Sequence, residues 1–299
     1  MRRPARADGC IASADRRARP AAPSLSAARS RTRRVPLRCA AQRRRDPSTA
    51  SRDGEESRLQ LYTHTLCPYA QRVELLLVER EVPFELHHVD LSDKPRWYLQ
   101  INPKGLVPTV VLPDGEVITE SADICQRLEQ MYAPAVEEGT AAKVHAAFMG
   151  RCNSDVSKSL AVVAGNSRFW GVGTELSSRE LERWRCNLQE MAQLAREAGG
   201  PFLTGSEPRL VDFLYFPFMH RTNVVLEELF GNPMMRDANS GDVAPIAQWL
   251  QAMERRDCAR VSSPPLEQFA DALRLHRSLD FFDYVSVSRE DLLHQRRAP

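Results

Sequence analysis

The sequence predicts an α+β protein in which a βαβαββα unit over residues 59–133 is followed by an all-α region over residues 140–283. Three features predict this order. Residues 59–64 alternate between two faces and pass, at Cys67 and Pro68, directly into helical spacing. Two short β-type runs at 109–112 and 116–119 are joined by Pro113, Asp114 and Gly115, residues whose backbone preferences make a tight turn and hence a hairpin. Beyond Ala133, amphipathic helical stretches succeed one another without a further strand pattern.

In the first strand, Leu59, Leu61 and Thr63 share one side and Gln60, Tyr62 and His64 the other, the period of a strand with one buried face. The run after Cys67 places Val73, Leu76 and Leu77 on one helix face. Pro68 suits the first helical position, where its missing N–H removes no bond and its fixed φ fits the turn. Cys67 is then the N-cap. First-turn amides and the positive end of the helix dipole face its sulfur, which predicts a thiolate stabilised by a few kcal/mol relative to a free thiol of pKa about 8.5. Ala70 stands where a dithiol motif has its second cysteine, so the natural partner of Cys67 is an external thiol. Cys125, Cys152, Cys186 and Cys258 are expected to be small buried apolar residues.

"VPFELHHVDL" reads as the second strand and "KPRWYLQINP" as a short irregular helix ending at Asn102 and Pro103. His87 and His88 are neighbours on a strand and point to opposite sides, so they do not make a metal pair. After the hairpin, Ser121 can cap a helix on which Ile124, Leu128 and Met131 repeat at one face.

The chain has 299 residues, 42% hydrophobic and 27% charged, enough for a sizeable core. Residues 1–58 hold sixteen Arg, no Lys and six acidic residues, an excess of ten positive charges in a chain whose formal charge is +2, which leaves residues 59–299 at −8. This leader is rich in Ala, Ser and Pro and has neither apolar periodicity nor aromatics. It reads as an organelle transit peptide and disordered linker; a nucleic-acid-binding arm, the alternative, ordinarily mixes Lys with Arg and carries aromatics. "PLRCAAQ" is similar to the small-residue cleavage context of plastid transit peptides, which predicts the plastid stroma, with the cytoplasm as the alternative. No apolar run approaches the roughly 20 residues that span a bilayer, so no membrane partner is expected, and the aromatic-free leader, basic through Arg alone, points to no nucleic-acid partner either. There is no P-loop, dinucleotide fingerprint, zinc-type spacing or internal repeat. Residues 284–299 form a polar tail.

"CPYAQR", "DKPRWYLQINPKGLVP" and the "ES" of Glu120 and Ser121, in this element order, resemble the thioredoxin-like domain of the cysteine-type glutathione transferases, the branch with the omega, lambda and dehydroascorbate reductase classes. The resemblance covers residues 59–132 and implies the glutathione transferase fold. It implies glutathione as co-substrate without a metal, and Cys67 as the catalytic thiol, with Pro68 and Tyr69 supporting its helix start. It further implies Lys94 at the glycine end of glutathione, a cis bond from Val107 to Pro108 with the Val107 backbone pairing the cysteinyl moiety, and Glu120 with Ser121 at the γ-glutamyl end. Chemistry supports the set. Glutathione carries two carboxylates and one ammonium: a hydroxyl and bare amides at a helix start suit a carboxylate, and Glu120 suits the ammonium.

In the all-α region, Ser177 and Glu180 form a capping-box pattern ahead of Leu181, Trp184, Leu188 and Met191 on one face. "FLTGSEPRLVDFLYFPF" resembles the start of the core helix of the second domain in these transferases. The family usually has Ser or Thr three residues before Asp212, where this chain has Arg209; the lost hydroxyl costs about 1 kcal/mol unless Ser206 or Pro208 starts the helix earlier. Residues 230–244 read as a loop before a helix carrying Ile246, Trp249, Leu250 and Met253. The function predicted is a glutathione-dependent thiol transferase or deglutathionylating reductase, monomeric or homodimeric, in which Cys67 forms a mixed disulfide with glutathione. Dehydroascorbate reduction is one alternative. The other is a non-enzymatic binder of aromatic plastid metabolites, with Phe148, Trp170, Tyr215 and Phe218 forming an apolar cleft.

Overall fold

Strand β1 (Leu59–Thr63) runs parallel to β2 (Phe84–His88) on one side and antiparallel to β3 (Thr109–Val111) on the other; β3 in turn pairs antiparallel with β4 (Val117–Thr119), giving the order β2-β1-β3-β4. Helix α1 (Pro68–Glu79) follows β1, α2 (Arg96–Ile101) joins β2 to β3, and α3 (Ser121–Tyr132) follows β4, so the order is βαβαββα as predicted. The remaining elements are helical: α4 (Thr140–Ser167), α5 (Ser178–Ala198), α6 (Leu210–Phe230), a 3₁₀ turn at Gly241–Val243, α7 (Ala244–Glu254) and α8 (Asp257–Ser262). This computed structural model describes residues 58–91, 93–133, 139–167, 178–230 and 241–265. The Arg-rich leader up to residue 57, the polar tail, Trp170 and Ser177 lie outside the described residues.

Alternation along β1 predicts one buried face, yet Leu59, Leu61 and Tyr62 are all buried. Leu59 and Leu61 enter the main core, whereas Tyr62 packs on the other face with Val89 and Tyr98, against Trp97 and Ile101. Helix α2 supplies that second cover. His87 stacks on the Tyr62 ring at 4.9 Å, the structural role its strand position implies.

The main core runs without interruption from Leu61, Val73 and Leu128 to Phe148, Trp184 and Trp249. Each such fully buried side chain contributes about 1.5–3 kcal/mol of transfer free energy. Helix α1 lies in the middle, packed against α3, α6 and α8, so the end that carries Cys67 is fixed from several sides. Trp184, Leu188 and Met191 on α5 and Ile246, Trp249, Leu250 and Met253 on α7 are buried, as their spacing predicts.

Several expectations about packing and helix ends need correction. Phe148, Tyr215 and Phe218 are core residues, none more than 1% exposed, and so do not line an open cleft. Cys186 is exposed, because the face of α5 that buries Trp184 and Leu188 turns Cys186 away from the core. Met131 is 41% exposed, one turn past the last buried position of α3. Helix α6 begins at Leu210 rather than earlier; the Asp212 N–H that a cap hydroxyl would serve donates to the Arg209 carbonyl at 2.9 Å, and the Asp212 carboxylate fixes the helix start, its Oδ2 accepting the Arg209 N–H at 2.8 Å and its Oδ1 the Leu203 N–H at 2.9 Å and the Trp249 Nε1–H at 2.8 Å.

Candidate active site

Cys67 is the N-cap of α1, with extended backbone (φ −76°, ψ 114°) and Pro68 opening the helix. Its N–H donates to the His64 carbonyl at 2.9 Å, closing the turn out of β1. The sulfur faces the amides of Ala70 and Tyr69, the arrangement that a cysteine–proline helix start dictates. It also lies 3.8 Å from the carbonyl oxygen of Val107.

The thiol is only 3% exposed, and this changes its electrostatics. Burial pushes its pKa above the ordinary thiol value, outweighing the amides of Ala70 and Tyr69 and the guanidinium groups of Arg221 and Arg72, which pull it down. The expected net depression is therefore not met in the ligand-free site: removing a thiolate from water disfavours it more than a helix start and two nearby cations favour it. Arg72 closes the CPYAQR stretch, where no role of its own was legible, and Arg221 escapes a motif search altogether. Arg221, on α6, donates to the Pro217 carbonyl at 2.9 Å, to the Leu66 carbonyl at 3.3 Å and to Gln71 Oε1, clamping the residues on either side of Cys67. It lies 155 positions from Leu66, so no local pattern announces it.

The segment opposite the sulfur is built as firmly. The Val107–Pro108 bond is cis, as the resemblance implies. The Leu106 carbonyl accepts from Asn102 Nδ2 at 2.9 Å and from the Tyr98 hydroxyl, and both groups also meet Thr109 Oγ1 at 2.9 Å. Tyr98, Asn102 and Thr109 were legible only as parts of a helix, its end and a strand; what joins them is the fold of α2 back over β3.

Lys94 lies over Gly105, whose φ of +62° admits a left-handed turn without strain. A Cβ at Gly105 would stand 2.8 Å from Lys94 Cδ, so the glycine leaves the room through which the lysine stem passes. Among the described residues no hydrogen bond or ion pair joins Lys94 to Cys67, Glu120 or Ser121. The lysine stem passes Gly105, two residues before Val107.

Glu120, not Ser121, is the N-cap of α3, a correction to the expected cap. Its φ of +69° is a left-handed conformation uncommon for a side-chain-bearing residue, and such geometry collects at functional sites. The exposed carboxylate of Glu120 pairs with Lys104 Nζ at 3.3 Å. Ser121 is the first helical residue and is buried, its Oγ accepting Arg72 Nη1–H at 3.1 Å. Tyr69, in the first turn of α1, meets the Phe218 ring edge-on at 5.0 Å. The structure thus brings together Cys67 with Val107, and Ser121 with the helix that Cys67 caps. A cavity of about 300 Å³ lined by Gln126, His145, Thr204 and Arg209 shares none of these residues. Among the described residues no cluster of His, Cys, Asp or Glu could hold a metal ion.

Comparison with known proteins points the same way as this geometry. Residues 66–131 match the family described as glutathione S-transferase, N-terminal domain. Pyrimidodiazepine synthase of Drosophila melanogaster is 27% identical over 228 residues, covering 74% of this chain and 86% of that protein. Glutathione S-transferase omega-1 of Mus musculus is 25% identical over 223 residues, with 74% and 87% covered. The chloroplastic glutathione S-transferase DHAR3 of Arabidopsis thaliana is 28% identical over 166 residues, 54% of this chain and 56% of that one, so the match spans about half of that relative. Among solved structures, glutathione transferase Omega 1C of Trametes versicolor superposes with a TM-score of 0.59 at 20% identity, covering 75% of this chain and 98% of that one.

Proposed function

We propose that this chain is a cysteine-type glutathione transferase, a glutathione-dependent thiol transferase that removes glutathione from mixed disulfides through Cys67. The observation that carries the reading is the Cys67 sulfur at a helix start, facing two amides and 3.8 Å from the Val107 carbonyl oxygen. A sulfur bound there to glutathione would lie beside a backbone edge able to pair with an extended peptide.

In the proposed roles, Lys94 meets the glycine carboxylate and the Val107 backbone, turned at Pro108, pairs with the cysteinyl unit. Glu120 meets the ammonium and Ser121 the γ-glutamyl carboxylate; Pro68 and Tyr69 hold the helix start. Glu120 already binds an ammonium, that of Lys104, which supports its assignment.

The Cys67 thiolate attacks the glutathionyl sulfur of the substrate. The substrate's S–S bond breaks, its other sulfur leaves as a thiolate that takes a proton, and Cys67 is left bonded to glutathione. The thiolate of a second glutathione attacks that glutathionyl sulfur, releasing glutathione disulfide and returning the Cys67 thiolate. Electrons balance: one disulfide is reduced and one formed. With Ala70, fully buried, in place of a second thiol, the resolving thiol must come from outside.

Intact-mass measurement after incubation with glutathione disulfide tests this reading. One added glutathione that maps to Cys67 and is removed by reduced glutathione supports it; an unmodified Cys67 defeats it. The similarity to DHAR3 favours dehydroascorbate as a second electron acceptor for the same cysteine, tested by turnover with dehydroascorbate. That relative's chloroplastic name and the Arg-rich leader support a plastid location, with the cytoplasm as the alternative. Retention of a fusion of residues 1–58 in the cytosol would count against the plastid. We place the glutathione-binding domain at residues 59–133 and the helical domain at 140–283.

A further inference from the structure

Arg72 is buried, with 4% of its surface exposed, yet among the described residues no carboxylate pairs with it. A desolvated guanidinium without a counter-ion is costly, so its environment has to hold it by other means. Its Nε donates to the Leu214 carbonyl of α6 at 2.9 Å, and its plane stands 4.6 Å from the centre of the Phe218 ring and 5.3 Å from that of Tyr69. Anchored there, the fork directs Nη1 at Ser121 Oγ, 3.1 Å away, and Nη2 at Cys152 Sγ, 3.9 Å away.

A serine hydroxyl has one hydrogen and two acceptor positions. Arg72, which can only donate, occupies an acceptor position of Ser121 and turns the hydroxyl hydrogen away from itself. An anion in front of Ser121 would then find a donor already oriented, with an unneutralised positive charge behind it.

We propose that Arg72 is a positioning residue that orients the Ser121 hydroxyl as a donor to the γ-glutamyl carboxylate of glutathione, and so selects ligands that carry this carboxylate. The proposal rests on the reading of the site as a glutathione site. It assigns to α6, through the Leu214 carbonyl and Phe218, a part in recognising a ligand end that no residue of α6 is assigned to touch.

The test uses the full chain carrying Cys67→Ser, which cannot form a mixed disulfide, and calorimetric titration with two ligands. One is glutathione. The other is γ-aminobutyryl-cysteinyl-glycine, the same peptide without the γ-glutamyl carboxylate. The parent is expected to bind glutathione at least tenfold more tightly, as loss of a hydrogen bond to a charged group implies. Arg72→Lys keeps a cation but replaces the planar fork, with separate nitrogens for Leu214 and Ser121, by a single ammonium nitrogen; it should lower the glutathione preference about tenfold and change affinity for the analogue less than twofold. Ser121→Ala should do the same, and the double variant should lose no more than either alone.

A merely structural arginine would weaken both ligands alike, and that result overturns the proposal, as does an additive double variant. An unchanged preference in Ser121→Ala overturns it too, and this variant decides the matter should Arg72→Lys fail to fold. If the parent binds neither ligand, the glutathione reading itself fails; if it binds glutathione and Arg72→Lys keeps the preference, only the role of Arg72 does.

Discussion

The Cys67 sulfur and the Val107 carbonyl oxygen, forty positions apart in the chain, stand 3.8 Å from each other. The helix start fixes the first and the turn into β3 fixes the second, so a group attached to the sulfur has its direction set by Val107.

Cys67→Ser is expected to abolish thiol transfer while retaining glutathione binding, since a serine hydroxyl can donate to a thiolate but cannot form a disulfide. Steady-state turnover of a glutathionylated small molecule and a binding titration check the two halves. Full transfer activity in the variant rules out Cys67 as the nucleophile.

Glu120→Ala is expected to weaken glutathione binding by about tenfold, as removal of one charged hydrogen-bonding partner implies, and to leave alkylation of Cys67 by iodoacetamide nearly unchanged. The carboxylate is exposed and pairs with Lys104, whereas the sulfur depends on amides of α1. Equal losses in both assays assign Glu120 to the fold instead.

Because burial raises the Cys67 thiol above its ordinary value, the ligand-free protein holds that proton at a pH where an exposed thiol has lost it. The alkylation rate should go on rising past about pH 8.5, the midpoint of a free thiol, and level off at higher pH than that of glutathione measured alongside. A plateau below pH 8 contradicts this. The same shift makes the stability contribution of Cys67 fully present below the unfolded pKa and lost as the pH rises through the folded one.

Gly105→Ala places a Cβ 2.8 Å from Lys94 Cδ at a φ of +62°, so both the turn and the lysine must shift. A stability loss of about 1 kcal/mol, read from a denaturant midpoint, should accompany a larger Kd for glutathione. An unchanged Kd would remove Lys94 from the proposed site.

Asp212→Ala leaves the Leu203 and Arg209 amides and the Trp249 indole N–H without their shared acceptor in a buried place. The expected loss is at least about 3 kcal/mol in urea unfolding, the sum of an unfilled volume and unpaired donors. Burial raises the Asp212 carboxyl to about 6 despite those donors. The folded protein thus keeps the proton longer than the unfolded chain, and this contribution is present below about pH 4 and lost as pH rises through about 6. The variant should show a flatter stability profile across that interval.

Local chemistry made much of this protein legible in its sequence. Pro68 after Cys67 suits the first helical position by its fixed φ, Pro113 to Gly115 turn on their own preferences, and Ile124 with Leu128 declare a helix face by spacing alone. These are properties of neighbours in the chain, decided over a few residues. Tertiary structure decided what depends on distant partners. Whether Tyr62 faced water or a second core depended on α2 folding over β1. Whether Cys67 was an easily ionised thiol depended on how completely the surrounding helices excluded water, and burial outweighed the amides that the motif promised. Arg72 and Ser121 meet over 49 positions, and Arg221 grips Leu66 over 155. A buried cation is set in place by the elements packed around it, and its neighbours in the sequence say nothing of which carbonyl or hydroxyl it will reach.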